Sequence, residues 1–458
     1  MGNQDRQHTK VDVQIELLKE LLIRDEYAPF SNMLNGIHLE PFQTFSIAQA
    51  LIVKEVILSW DTGLGKTLAA SAVIKWYSKA EPSMKFLVVC KRGNYTDVVK
   101  KIKDSTGLNV VGCTAEDEKV TETFVKMGLE DKDVLVLTYE AIRNFKVNLA
   151  LFRVRRFFKG IIVDESHLVG NDKSNTHKIL KSMIKRAKFK MLLTATPLTI
   201  SPRQVINQFE IICPDFFKDI DKDKYSNYFE IKNDEGKVIG YQHLDELERD
   251  LGIHYINFTR QQLGLKGEYD VKIVKCNPSV NIDLEKLTKN KRHILKTEQG
   301  GDAIEKLVRL CKDLASQGKK GIIYADLNEL KSLCLKELKI AGLKVDIIDG
   351  SLSDTKERDK TKDKFNNNEL DVLITNITEG LDLTCDFIIF YELTLKYKQM
   401  IGRGERGLRG QNLEIYFFIV KDTIDEEFFI TNIYERGILL RELCKKDIGE
   451  LEDAYRKL

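Results

Sequence analysis

Residues 61–67 read DTGLGKT, and DESH stands at residues 164–167. Gly63 and Gly65 carry no side chains, so their loop can curl and aim backbone N–H groups at an anion. Lys66 adds a point charge for β- and γ-phosphates, and Thr67 a hydroxyl for Mg²⁺. Trp60 stands where the strict GxxxxGK[ST] pattern has its first glycine. Asp164 and Glu165 follow the apolar run GIIV. Asp164 can there reach a metal shell, while Glu165 is placed to orient and deprotonate an attacking water. Together these residues are the minimum equipment for hydrolysing a nucleoside triphosphate. Far downstream, QMIGRGER (residues 399–406) brings in Arg403 and Arg406. Guanidinium forks suit the charge developing on a transferring phosphoryl group. Their place in a separate part of the chain implies hydrolysis where two domains meet.

The elements that must hold these residues follow from periodicity. Residues 11–24 have the spacing of an amphipathic helix. Apolar, β-branched runs at 56–59, 86–90, 134–137, 160–163 and 191–194 alternate with stretches of helical spacing. Strands that are apolar almost throughout are covered on both faces, which predicts a doubly wound parallel sheet with its ligand at the strands' C-terminal ends. From 201 to 300 the pattern weakens into charged, turn-prone sequence and reads as an insertion plus a connector. A second alternation follows, with strands expected at 321–324, 345–348, 372–375, 387–391 and 415–420 and a helical, charged segment after 422.

Bulk properties narrow the class. The 458 residues suffice for two or three domains, and 43% apolar with 31% charged residues is ordinary for a soluble globular chain. No apolar run approaches the roughly 18 residues of a membrane span, and the N-terminus MGNQDRQHTK lacks the apolar core of a secretory signal. The eight cysteines include no CxxC pair, which argues against structural zinc and suits a reducing compartment. A net charge of +2 neither requires nor excludes nucleic acid, because phosphate binding needs only a local stripe. Basic stretches at 153–159, 185–190 and 286–292 are such stripes or simply solvated faces.

Taken in order, the motifs resemble the superfamily-two DNA translocases, most closely the Swi/Snf-like branch. LEPFQ (39–43) is similar to that branch's adenine-reading motif, and LSWDTGLGKT to its phosphate loop, with Trp60 replacing an acidic residue. FLVVCKRGNYTDVVKKI (86–102) and VLVLTYEAIRNF (134–145) resemble its DNA-contacting motifs. DESHLVGNDKSNT (164–176) resembles its extended DEAH motif, with Ser166 in place of Ala, and LLTATP (192–197) opens its coupling motif. GIIYADL, IIDGSLSDTKERDKTKDKFN, LITNITEGLDLTCDFIIFYE and QMIGRGERG follow in family order, whereas INFTRQQLGL (256–265) matches the linking segment only faintly.

The resemblance implies an α/β fold of two RecA-like doubly wound parallel-sheet lobes in tandem, with an interdomain insertion and a helical C-terminal tail. The expected division is 1–38 (N-terminal helical segment), 39–218 (first, ATP-binding lobe), 219–300 (insertion and linker), 301–425 (second lobe) and 426–458 (tail). It implies that Gln43 reads adenine and that Thr62, Gly63, Gly65, Lys66 and Thr67 hold ATP. Thr67 and Asp164 hold Mg²⁺, Asp164 and Glu165 form the acidic pair, and Gly380, Asp382, Gln399, Arg403 and Arg406 complete the site. Thr194 and Thr196 would couple nucleotide state to DNA. Lys91, Thr138, Ser351 and Thr375 are expected on backbone phosphates, although strand-end capping explains such hydroxyls equally well.

The expected function is therefore an ATP-dependent translocase on DNA, duplex or single-stranded, read without regard to sequence. Its further partners are expected among replication, repair or recombination proteins, without a membrane. The chain length leaves no room for a histone-reading domain, so a compact cytoplasmic motor of a bacterium or phage-infected cell is expected. Rival readings are a strand-separating DNA or RNA helicase and a nucleotide-gated adaptor that binds DNA without moving. A packaging or nuclease motor would need a further acidic metal cluster, and the tail offers none.

Overall fold

The computed structural model describes residues 33–114, 133–147, 151, 157–197, 201–234, 236, 238–260, 262–263, 269–278, 294–296, 301–349, 355–376, 383–394, 397, 400–401, 413–430 and 433. It divides into two units, Met1–Thr259 and Arg260–Leu458.

In the first unit the order is α1 (Pro41–Val53), β1 (Glu55–Trp60), α2 (Lys66–Ala80), β2 (Lys85–Cys90), α3 (Tyr95–Thr106), β3 (Val110–Cys113), β4 (Val134–Thr138) and α4 (Tyr139–Arg143). There follow β5 (Phe158–Asp164), α5 (Asn175–Ile184), β6 (Phe189–Thr194), α6 (Arg203–Ile212), α7 (Lys222–Tyr228), β7 (Glu230–Lys232), β8 (Val238–Tyr241), α8 (Leu244–Leu251) and β9 (Tyr255–Phe258). Seven strands form one sheet in the order β3-β4-β2-β5-β6-β1-β9, every neighbouring pair parallel. Its inner strands β1, β2, β4, β5 and β6 are buried almost end to end, as their apolar runs require.

The second unit comprises β10 (Tyr269–Cys276), α9 (Ala303–Ser316), β11 (Gly321–Tyr324), α10 (Asn328–Ile340), β12 (Val345–Ile348), α11 (Thr355–Asn366), β13 (Val372–Thr375), β14 (Phe387–Phe390), β15 (Leu413–Val420) and α12 (Ile424–Phe429). Its six strands run parallel in the order β10-β15-β14-β11-β13-β12. The sequence FIIFY at 387–391 shows why the run is apolar throughout. Phe387, Ile389 and Tyr391 enter one core cluster while Ile388 and Phe390 enter another, so successive side chains fill opposite faces of the sheet.

The stretch 219–300, expected as insertion and connector, is shared out between the sheets. β9 closes the edge of the first sheet against β1, and β10 forms the edge of the second against β15. Leu295 and Lys296 are buried in the second unit, where Lys296 Nζ lies 2.8 Å from Asp425 Oδ2 and donates to the Phe418 carbonyl at 2.7 Å. Between α7 and α8, the short antiparallel hairpin of β7 and β8 forms a small sheet of its own. Most of the tail expected at 426–458 lies outside the described residues.

Both sheets use the same packing device: a glycine faces a phenylalanine on the neighbouring strand, Gly160 opposite Phe86 and Gly321 opposite Phe387. A Cβ at either glycine would lie 2.2 Å from the ring. Gly160→Ala and Gly321→Ala are each expected to destabilise their unit by about 1–3 kcal/mol through overpacking. A fall in the urea midpoint at unchanged slope would show it.

Candidate active site

The phosphate loop is held on three sides. Leu64 is buried beneath it, and the Asp61 N–H donates to the Phe258 carbonyl at 3.1 Å, so edge strand β9 fixes the loop's start. Trp60 is fully buried, with ring centroids 5.1 Å from Phe42 and 6.4 Å from Phe258. The side chain that replaces the motif's first glycine thus anchors β1 to the helix before it and the strand beside it.

From the other side, the Gln43 amide N–H donates to the Leu64 carbonyl at 2.8 Å, and its Oε1 accepts from Glu40 N–H at 2.9 Å. Gly63 and Gly65 have φ of 81° and 85°, the left-handed region that only glycine enters cheaply. Helix α2 then begins at Lys66, directing its N-terminal N–H groups toward the loop. Lys66 Nζ donates to the carbonyls of Trp60 and Asp61 at 2.8 and 3.1 Å.

The acidic pair ends β5, two strands from β1 in the sheet order. The Tyr139 hydroxyl donates to the Asp164 carbonyl at 2.6 Å. Glu165 has φ of 51° and ψ of 49°, an unusual backbone conformation for a residue with a side chain. Such conformations persist only where surroundings impose them, and they gather at functional sites. Burial pushes the Glu165 carboxyl up. The His167 hydrogen bond and the charges of His167, Lys66 and Lys91 outweigh that and hold it well below the usual carboxylate range.

A polar chain leaves this pair. His167 Nδ1 lies 3.4 Å from Glu165 Oε2 and 3.3 Å from Thr194 Oγ1, and Thr194 Oγ1 accepts from the Thr196 N–H at 3.1 Å. Thr194 and Thr196, expected as coupling residues, are therefore brought to the acidic pair through His167. Sequence reasoning missed Gln208, which is fully buried on α6. The Ser166 hydroxyl donates to its Oε1 at 2.7 Å, and its Nε2 donates to the carbonyls of Pro197 and Gln204. Ser166, the departure from DEAH, thus ties the acidic turn to the loop after β6. Gln208→Leu is expected to cost about 1–3 kcal/mol by stranding the Ser166 hydroxyl. Ser166→Ala in that background should show a coupling of about 0.5–3 kcal/mol in a double-mutant cycle.

The residues expected on nucleic-acid phosphate fall differently. Lys91, just past β2, is close enough to Glu165 for its charge to depress that carboxyl. Thr138 is fully buried and caps α4, its Oγ1 accepting from the Ala141 N–H at 3.1 Å. Thr375 is fully buried at the end of β13. Ser351, Gly380, Asp382, Gln399, Arg403 and Arg406 lie outside the described residues.

A glycine-rich loop leading into a helix, with an acidic pair at the end of a nearby parallel strand, defines a P-loop nucleotide-hydrolysing protein. The SNF2-related domain matches residues 10–267 and the helicase conserved C-terminal domain residues 302–410, so the chain belongs to the SNF2-related family. It carries the two domains of an SNF2-family ATP-dependent helicase or translocase and is an ATPase.

An uncharacterized ATP-dependent helicase of Bacillus subtilis is 22% identical over 476 residues, covering 90% of this chain and 80% of the relative. The ISWI chromatin-remodeling complex ATPase of Saccharomyces cerevisiae is 27% identical over 192 residues, covering 41% of this chain but only 16% of its own length. Among solved structures, the Hef helicase domain of Pyrococcus furiosus shares the fold with a TM-score of 0.52 at 16% identity, covering 84% of this chain and 97% of that one. No described helix is long and apolar enough to cross a membrane.

Proposed function

We propose that the chain hydrolyses ATP to move along the backbone of duplex DNA, without regard to base sequence. The observation that carries this reading is the polar chain from Glu165 through His167 to Thr194 and Thr196. It gives the water-orienting carboxylate a direct mechanical link to the loop after β6.

In this reading Lys66, Thr62 and the loop N–H groups bind the triphosphate. The second N–H of Gln43 reads adenine and, through Leu64, joins base recognition to the loop. Thr67 and Asp164 are the proposed ligands of Mg²⁺, which when bound would spread the charge of the β- and γ-phosphates. The positive-φ glycines, the lysine at the helix start and the buried carboxylates are the donor set that such a ligand needs. Arg403, Arg406, Gly380, Asp382 and Gln399 are proposed to act on the same nucleotide. Lys91, Thr138, Ser351 and Thr375 remain the proposed phosphate-side positions. The two hydroxyls that are fully buried, Thr138 and Thr375, would act through the loops they cap or end.

The test is the ATPase rate with single-stranded DNA, duplex DNA and RNA over a range of salt. Duplex DNA should stimulate turnover most, with stimulation falling steeply as salt rises. Stimulation by RNA alone would overturn the proposal. Lys66→Ala is expected to abolish turnover while leaving DNA binding measurable by anisotropy.

A further inference from the structure

Tyr139 joins the acidic pair to the end of a different strand. It opens α4 directly after Thr138, and its side chain is buried. Its hydroxyl has one proton to give. The nearer acceptor is the Asp164 carbonyl at 2.6 Å, with the Glu165 carbonyl at 3.4 Å. The Glu165 carbonyl also accepts from the Leu168 N–H at 3.1 Å, which closes the short turn Ser166–Val169.

Those two carbonyls belong to the peptide units on either side of Glu165. Its φ of 51° and ψ of 49° are rotations of these same units, and a residue with a side chain stays at such angles only where neighbours hold it. Turning either unit would swing the carboxylate, so a hydroxyl that meets both carbonyls fixes where the carboxylate points. The other end of Tyr139 is fixed to α4. Thr138 Oγ1 accepts from the Ala141 N–H at 3.1 Å, and the Tyr139 carbonyl accepts from Arg143 Nε at 3.2 Å. Glu140 follows in the same turn. Burial pushes the Cys90 thiol up, and the charges of Asp164 and Glu140 push it further. The end of β2, the first turn of α4 and the acidic pair thus share one corner of the first unit.

We propose that Tyr139 is a positioning residue for hydrolysis. Its hydroxyl holds the Asp164–Glu165 backbone at the angles that present the carboxylate to water, and it carries any displacement of α4's first turn to that backbone. The second half rests on the proposed function, in which the end of β4 at Thr138 is a phosphate-side position. Backbone phosphate engaging that end would move Tyr139 with it. The chain through His167 runs instead to the loop after β6, so two strand ends reach Glu165 by separate routes. Tyr139 touches neither substrate nor water in this account and acts only through the backbone of Glu165.

Tyr139→Phe keeps the ring and deletes the hydroxyl. The experiment compares steady-state ATPase of the full chain without nucleic acid and with saturating duplex DNA, alongside DNA affinity by anisotropy and unfolding in urea. The variant is expected to lower kcat in both conditions, by about tenfold or more with DNA, since a misplacement of about 1 Å can cost about 10²-fold. KM for ATP and DNA affinity should match wild type, which places the loss in the transition state. The ratio of DNA-stimulated to unstimulated kcat should fall by about fivefold or more, the lower end of a typical coupling between sites. Wild-type kcat in the variant would overturn the proposal, as would a lower urea midpoint with kcat unchanged, which marks a purely structural bond. An equal fold-loss with and without DNA would overturn the link to α4. Should duplex DNA fail to stimulate the wild type, the proposed function falls, and the unstimulated kcat of Tyr139→Phe still decides whether the hydroxyl holds the turn.

Discussion

Glu165→Gln is expected to lower kcat by about 10²–10⁴-fold, the range that a positioned acid–base group supplies, with ATP and DNA binding retained. The amide fills the same space, so the loss isolates the charge. That charge is set by its surroundings. Burial opposes ionisation, yet the hydrogen bond from His167 and the positive charges around it hold the carboxyl well below its usual range. A carboxylate held below its usual range stays ionised at neutral pH, in the state that orients the attacking water. That suits a transition state in which bond formation to the water is little advanced.

Two measurements follow. The acidic limb of kcat should lie below the pH at which an ordinary glutamate would place it. The stability that Glu165 contributes should be present above about pH 4.3, its unfolded value, and be lost as pH falls through the lower folded value. The difference in stability between wild type and Glu165→Gln should therefore shrink as the solution is acidified. DNA-stimulated turnover by Glu165→Gln at the wild-type rate would refute the assignment.

What the sequence disclosed was whatever lies contiguous along it. DTGLGKT and DESH carry their chemistry within a few residues, and strands buried on both faces announce themselves as unbroken apolar runs. β11, β12 and β13 fall where those runs predict. Two edge strands, β9 and β10, were hidden for the same reason. β10 reads YDVKIVKC, its apolar run broken by the exposed Asp270, Lys272 and Lys275, and β9 is only four residues long. Buried polar partners were hidden more deeply. Gln208 meets Ser166 across 42 positions, and nothing in a glutamine on an amphipathic helix reveals that it will be the inward one. Thr138 shows the opposite case. A hydroxyl at a strand's end serves a cap or a ligand alike, and only the 3.1 Å bond from Ala141 shows that it caps α4.

Gly65→Ala is expected to damage the phosphate loop in two ways at once. Its backbone φ of 85° costs an alanine roughly 1–2 kcal/mol. The new Cβ would also sit 2.5 Å from Gln43 Nε2, the atom that donates to Leu64. Yielding to the clash breaks that bond and lets α1 and the loop move apart, while resisting it flattens the curl that aims the N–H groups at phosphate. Either response should weaken ATP binding by at least tenfold, equivalent to about 1.4 kcal/mol, and lower the melting temperature of the first unit. Calorimetric titration with ATP reads the first effect and thermal unfolding the second. Gln43→Ala, measured alone and in the same background, separates the causes, because it removes the clash together with the adenine-side amide and leaves the backbone strain. A double variant that binds ATP as well as Gln43→Ala alone would assign the loss to crowding. A double variant weaker than Gln43→Ala alone would assign it to the loop's left-handed turn, and wild-type affinity in Gly65→Ala itself would mean that this loop does not hold the triphosphate.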